Sequence, residues 1–284
     1  MSFLFLVQHP DSPQWNGLQS FFTDLDDLLA SGEIVGLKPG NRTWLKYLRI
    51  KGFPPLVLKF YRHRIPVPQA MAAFRMALDR RLSTAWETSL FLYQQGVAVP
   101  TPLALLFKDW RHSIIAMEAI QGETFWDRIQ KGHVLSKAIM ERIGALIARI
   151  HATGVIHGDL KLANIMGKES ETSHGDSNKD IEPYLIDFDS ALLFSKNESH
   201  LDPRYEKGVG RDIARLLISL AELHQDPMLS LSFFEGYASK AVWNGRVVKT
   251  TLDRMERLIW KKGMDRNILS DYARIMESVI DISR

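Results

Sequence analysis

The reading of this sequence turns on His157-Gly158-Asp159-Leu160-Lys161-Leu162-Ala163-Asn164, followed further along by Ile186-Asp187-Phe188-Asp189. An Asp, a Lys two places later and an Asn five places later form one compact polar set, and a second Asp closes a hydrophobic strand-like run. Asp159 offers an oxygen to an attacking hydroxyl, Lys161 a cation beside a moving phosphoryl group, and Asn164 and Asp187 oxygen ligands for a hard divalent cation. The value of Asp159 lies in orientation as much as in basicity. This is the donor set that phosphoryl transfer from Mg-ATP requires, and the remainder of the chain reads as its scaffold.

The chain has 284 residues with 45% apolar and 24% charged content, enough to bury a full core in one domain or in two tightly joined lobes. It has no cysteine, which excludes disulfides and thiolate metal sites and fits a reducing compartment. The start, Met1 to Pro10, carries an apolar run too short for a signal peptide or a membrane span. Net charge is only +3 but is unevenly placed: between Ile34 and Leu78 there is no Asp or Glu against nine basic residues. Such a stretch favours anionic partners by raising the local potential.

Residues 11 to 32 read as a helical preamble. Strands follow at 33–37, 42–50 and 56–61, separated by turns at Lys38-Pro-Gly-Asn41 and Gly52-Phe-Pro-Pro55. A helical stripe from Gln69 to Gln95 includes Phe74, Leu82, Trp86 and Tyr93, and two more strands follow at 103–107 and 112–117. Five strands with one major helix make a first lobe. Beyond Gly122 the pattern turns helical, with segments at 123–131 and 136–152, the second capped by Ser136. Short strands at 165–166 and 184–188 flank a polar insert at 168–182, and four helices fill 206–283.

With both motifs placed, the chain resembles the eukaryotic-like protein kinase superfamily, and within it the bacterial lipopolysaccharide core kinases that phosphorylate Kdo or heptose. The resemblance covers Glu33 to Leu220. It implies an α+β two-lobe fold: an N-terminal extension at 1–32, a five-stranded antiparallel N-lobe at 33–117, a hinge at 118–122 and a mainly helical C-lobe at 123–284. It implies ATP and Mg2+ as cofactors, Asp159 and Lys161 as catalytic residues, and Asn164 and Asp187 as metal ligands. Lys59, at the end of Leu56-Val-Leu-Lys59, matches the lysine that binds the α and β phosphates, with Glu87 as its helix partner. Their spacing of 28 residues is longer than usual for protein kinases. Gly40, Lys38 and Arg42 stand where a glycine-rich phosphate loop is expected, although the pattern departs from it. Glu118 and Ile120 would meet the adenine edge through their backbone. His157 would brace the catalytic loop and Asp212 would anchor it from below.

Gly158 replaces the arginine found in many protein kinases, Phe188-Asp189 replaces Phe-Gly, and no Ala-Pro-Glu segment follows. The shortened stretch from Ser190 to Gly210 argues for a small or lipid-linked acceptor. The resemblance and the basic run together imply a sugar hydroxyl of a lipid-linked anionic glycan, the lipopolysaccharide core. They also imply a cytoplasmic protein held peripherally at the anionic inner-membrane surface. A protein serine, threonine or tyrosine kinase would use the same residues, and a small-molecule phosphotransferase shares the Asp159, Asn164 and Asp187 logic. A pseudokinase is the non-enzyme alternative. Nucleic-acid binding is not expected, because no recognition motif accompanies the basic run.

Overall fold

A computed structural model describes residues 7–8, 35–37, 43–63, 79–107, 111–169, 181–195, 202–238 and 243–282. The expected preamble at 11–32, the phosphate-loop residues Lys38, Gly40 and Arg42, the first part of the long helix and the tip of the 168–182 insert lie outside the described residues. The chain divides into two compact units, 1–93 with 100–119, and 94–99 with 120–284.

Among the described residues the first unit is built on a sheet of six strands, not five. In spatial order they are β1 (Val7–Gln8), β5 (Pro102–Phe107), β6 (His112–Glu118), β4 (Leu56–Arg62), β3 (Thr43–Leu48) and β2 (Val35–Leu37). The additional strand is the two-residue β1, which pairs Val7 with Leu105 and Gln8 with Ala104. A pairing of two residues has no period to read, which is why the sequence did not reveal it.

All neighbours in this sheet are antiparallel, and its two faces collect different cores. On one, Leu48, Ile50, Leu56, Leu58, Phe60, Leu106 and Ile114 pack together with Trp44 and Phe53 against them. On the other, Tyr61, Leu105, Phe107 and Ile115 meet Leu82, Ala85 and Trp86 of helix α1 (Arg80–Gln94). Period-two alternation sends Phe60 to the first face and Tyr61 to the second. Burying each of these large side chains contributes about 1.5–3 kcal/mol. The β3 register, ambiguous in sequence, is settled by the side chains of Leu48 and Ile50 entering the first core.

The second unit begins its main run with β7 (Gly122–Thr124) and α2 (Phe125–Gln130), then α3 (Lys137–Ala152). Ser136 caps α3 as expected, its Oγ accepting from the Ile139 N–H at 3.2 Å, and Ile139, Ile143, Ile147 and Ile150 form the buried stripe. Next come β8 (Val155–Ile156), a single 3-10 turn at Leu162–Asn164, then β9 (Ile165–Glu169) and β10 (Ile181–Leu185), which pair as a hairpin. β7 adds to β9, and β11 (Leu192–Leu193) pairs with β8. Four helices complete the unit: α4 (Pro203–Glu222), α5 (Leu229–Ala238), α6 (Gly245–Lys262) and α7 (Asn267–Ile282). Pro203 at the first turn and Asp202 as N-cap define where α4 starts. Among the described residues no helix is long and apolar enough to cross a membrane.

Candidate active site

The signature loop is suspended from α4. Asp212, fully buried in the middle of that helix, accepts hydrogen bonds from the backbone N–H of His157 at 2.7 Å and of Gly158 at 2.9 Å, one on each carboxylate oxygen. Two turns further, Ser219 Oγ accepts from the Leu162 N–H at 3.1 Å. A helix is the stiffest support available to a loop, and two of its side chains fix both ends of this one. His151, on α3, joins the same buried network through Tyr237 Oη at 2.8 Å and Asp212 at 3.4 Å.

His157 is held in one tautomer. Its Nδ1 accepts from the Asp159 N–H at 3.3 Å, so the ring proton sits on Nε2, which donates to the Ile186 carbonyl at 3.1 Å. The imidazole thus ties the loop to the strand end that carries Asp187, and Phe188 stacks beside it with centroids 5.1 Å apart. Gly158 has φ +81°, and a Cβ there would stand 2.0 Å from the Ser190 carbonyl oxygen. Any larger residue would push the 187–190 turn away from the loop, which gives a steric reason for the missing arginine.

These supports bring Asp159, Lys161 and Asn164 together. Lys161 Nζ lies 2.8 Å from Asp159 Oδ2, and Arg215 Nη1 lies 3.5 Å from Asp159 Oδ1. Asn164, buried, donates its amide N–H to the Asp159 carbonyl at 2.8 Å, which turns its side-chain oxygen toward other ligands. The Asn164 carbonyl in turn accepts from the Ile186 N–H at 3.1 Å, so the residue before Asp187 is fastened directly to Asn164. Asp187 itself adopts the left-handed conformation at φ 68°, rare for a residue with a side chain and a mark of a constrained site. Two neutral or anionic oxygen side chains on adjoining backbone are the chemistry a hard cation selects, so Asn164 and Asp187 fit Mg2+.

The first unit places its expected residues less uniformly. Lys59 is 8% exposed, pairs across the sheet with Ile115 and lies 5.3 Å from the Tyr61 ring centre, on the face that α1 covers. Glu87 does not meet it. Helical spacing turns Leu82, Ala85 and Trp86 toward the sheet and leaves Glu87 exposed, so the expected Lys59–Glu87 ion pair is absent. Glu118 donates its N–H to the Thr101 carbonyl at 3.0 Å, and its carboxylate accepts from Thr101 Oγ1 at 2.6 Å. Its side chain is therefore committed to the sheet, leaving backbone as the part available to a ligand. Ile120 is 9% exposed.

Two features escaped the sequence reading. Arg215 reaches Asp159 because it lies one turn beyond Asp212 on the same helix, a signal that was present in the spacing. His63, at the end of β4, bridges Ser113 Oγ at 2.6 Å and Asp79 Oδ2 at 3.2 Å, and Asp79 accepts from the N–H groups of Arg81 and Leu82 at the start of α1. This buried relay fastens α1 to the sheet. Ser113 is fully buried, so the trio is a structural anchor and not a nucleophile with its base.

Residues 41–203, more than half of the chain, match the description "Lipopolysaccharide kinase (Kdo/WaaP) family". The chain belongs to this family. Beyond it, the chain is similar to an Archaeoglobus fulgidus protein described as a probable serine/threonine-protein kinase BUD32 homolog. That match is 29% identical over 57% of this chain and 71% of the relative. It is also similar to a 3-deoxy-D-manno-octulosonic acid kinase of Haemophilus influenzae, 28% identical over 42% of this chain and 52% of the relative. In the second relative the match thus spans about half the length.

Among solved structures, WaaP in complex with acyl carrier protein superposes with a TM-score of 0.55 at 17% identity, covering 97% of this chain and 99% of that one. The Rio2 kinase of Chaetomium thermophilum, in an ADP/Mg2+-phosphoaspartate complex, gives 0.53 at 16% identity, covering 98% and 82%. These likenesses carry the fold: two-lobed, α+β and protein-kinase-like, with a sheet N-lobe and a helical C-lobe. The chain is an ATP-dependent phosphotransferase of the kinase superfamily, and use of ATP with Mg2+ is typical of its fold.

Proposed function

We propose that the chain transfers the γ-phosphoryl group of ATP to a serine or threonine hydroxyl presented by a folded protein. The observation that carries this reading is the match to the archaeal protein kinase, which spans a larger share of both chains than the match to the sugar kinase. Only residues 188–202 separate Asp187 from the first turn of α4, which leaves little chain to bind an extended peptide. Presentation from a folded surface answers that shortage.

Asp159 accepts the hydrogen of the hydroxyl and aims its oxygen at the γ-phosphorus. The new P–O bond forms as the bond to the β-phosphate bridging oxygen breaks, ADP leaves, and the proton passes to Asp159. Lys161, already 2.8 Å from Asp159, stands where it can shift its charge to the phosphoryl oxygens as they become more negative. Lys59 serves the α and β phosphates, and the backbone of Glu118 and Ile120 the adenine edge. Mg2+, held by Asn164 and Asp187, supplies neutralising charge to the phosphates when bound.

A second reading is favoured by the family description and by the acid-free basic run from Ile34 to Leu78. Here the acceptor is a Kdo or heptose hydroxyl of the lipopolysaccharide inner core, and the protein sits peripherally at the cytoplasmic face of the inner membrane. Transfer of γ-labelled phosphate to a protein mixture from the source cell, beside dephosphorylated core glycan, separates the two. Label in protein supports the first reading and label only in glycan replaces it with the second. Asp159→Ala is expected to lower transfer by about 10^2–10^4-fold while ATP binding persists. An unaffected rate would remove Asp159 from the mechanism.

A further inference from the structure

Apart from Arg215, the arginines at the contact of α4 and α6 take no part in the machinery above. Arg211 and Arg215 lie one turn apart on α4, and Arg254 and Arg257 lie one turn apart on α6. The helices are in close contact: a Cβ on Gly210 would come within 2.8 Å of the Thr250 Cβ. Arg254 is partly covered, and its Nε is a buried donor without a hydrogen-bond partner. Among the described residues Arg211, Arg254 and Arg257 form no ion pair, and Arg215 reaches only Asp159, at 3.5 Å. Burial, with Arg215, Arg211 and Arg257 alongside, pulls the Arg254 guanidinium below its ordinary pKa.

Three like charges gathered around one partly covered guanidinium repel it and leave a donor without an acceptor. Both are costs to the folded state, and among the described residues Asp159 pairs with Arg215 alone and leaves the other three arginines without a counter-charge. A bound anion removes both at once, since guanidinium groups match the planar or tetrahedral oxygens of carboxylate and phosphate with paired hydrogen bonds. We propose that Arg211, Arg215 and Arg254 form an acceptor subsite for a phosphate or carboxylate group. Because Arg215 touches the catalytic carboxylate, the anionic group belongs to the molecule whose hydroxyl Asp159 orients. It lies close to that hydroxyl in covalent structure. The inference deepens the phosphotransfer reading and rests on it for the acceptor's identity, but the anion site itself does not.

Two measurements keep those dependences apart. Inorganic phosphate is titrated into the full-length protein saturated with Mg-ADP, so that the nucleotide phosphates occupy their own positions, and binding is followed by the rise in Tm and by calorimetry. The wild type is expected to bind with millimolar affinity. Arg254→Gln is expected to weaken binding at least tenfold, and Arg254→Lys, which keeps the charge, to retain most of it. In the absence of anions Arg254→Gln is expected to raise Tm by about 2–4 °C, since it relieves the repulsion. In transfer assays the same variant should raise the KM for the acceptor about tenfold and leave the KM for ATP unchanged.

Phosphate binding that is absent in the wild type, or equal in wild type and Arg254→Gln, overturns the proposal. A raised KM for ATP in place of that for the acceptor also overturns it, by moving the cluster to the nucleotide. Wild-type protein that binds phosphate through Arg254 yet turns over no ATP would leave the anion site standing and sink the phosphotransferase reading.

Discussion

The signature loop of the helical unit and the lysine strand of the sheet unit solve the same problem differently. Each must hold a charged side chain in place. The loop is fixed by polar contacts to buried groups, with Asp212 on two successive backbone N–H groups, Ser219 on a third and His157 on the Ile186 carbonyl. In the sheet unit Lys59 is placed by strand pairing and a hydrophobic face. The helix covering that face packs Leu82, Ala85 and Trp86 against it and turns Glu87 to solvent. Its position depends on the His63–Asp79–Ser113 relay at its first turn. One unit fixes its loop through hydrogen bonds to buried groups that specify direction; the other sets its lysine by the register of a packed sheet.

The comparison predicts that removing a polar anchor is far more damaging in the helical unit. Asp212→Ala leaves two buried N–H donors and one side of His151 without their acceptor. Each such group costs about 1–3 kcal/mol, so a total near 3 kcal/mol or more is expected, read as a large fall in the denaturation midpoint. The loop carrying Asp159 would lose its support as well, so kcat should fall even where the protein stays folded. Asp212→Asn restores an acceptor for one donor and should recover part of the stability. A midpoint within about 0.5 kcal/mol of wild type for Asp212→Ala would mean that the loop holds its own shape, and the contrast between the units would fail.

The same contrast explains what could be read from sequence. The loop was legible because its geometry is local. Asp159, Lys161 and Asn164 meet within six residues, and His157 and Gly158 sit beside them. The Ser136 cap and the isoleucine stripe of α3 were legible for the same reason. Three strands of two residues each, β1, β8 and β11, offered no period. Glu87 was chosen as the acid on the long helix by its neighbours in sequence, but one residue along a helix is a rotation of about 100°, enough to move a side chain from core to solvent. The arginine cluster needs two helices to be brought together, and either helix alone shows only an ordinary basic pair. His63 and Asp79 meet across 16 positions of sequence, and neither residue carries a motif that names the other.

The relay gives a smaller, pH-dependent test in the sheet unit. Burial alone would raise the Asp79 carboxyl, but the His63 hydrogen bond, the Leu82 N–H and the nearby charges of His63 and Arg81 outweigh it and hold the pKa below its ordinary value. A carboxylate depressed in the folded state adds stability above its unfolded pKa and loses it as pH falls through the folded one. Asp79→Ala removes both the helix cap and the pairing with His63 and should cost about 1–2 kcal/mol at pH 7. Asp79→Asn keeps an oxygen for the cap and should cost less. Its deficit against wild type should be full above about pH 4 and shrink below it. A deficit that grows as the solution is acidified would show that the pairing with His63 has the opposite sign.

The smallest expected effect is the most direct comparison between the two ways of holding charge. If Lys59 depended on a helix carboxylate, Glu87→Gln would lower transfer by the factor that loss of a buried partner brings. With Glu87 in solvent, the variant should lie within about twofold of wild type in kcat and in the KM for ATP, and within about 0.5 kcal/mol in stability. Lys59→Met in parallel supplies the scale, since its loss should raise the KM for ATP well beyond that range. Equal losses in Glu87→Gln and Lys59→Met, non-additive in the double variant, would show that nucleotide binding rotates the helix and brings the two together. The sheet unit would then gain a Lys59–Glu87 pair in the loaded enzyme, and the asymmetry between the units would belong to the nucleotide-free state alone.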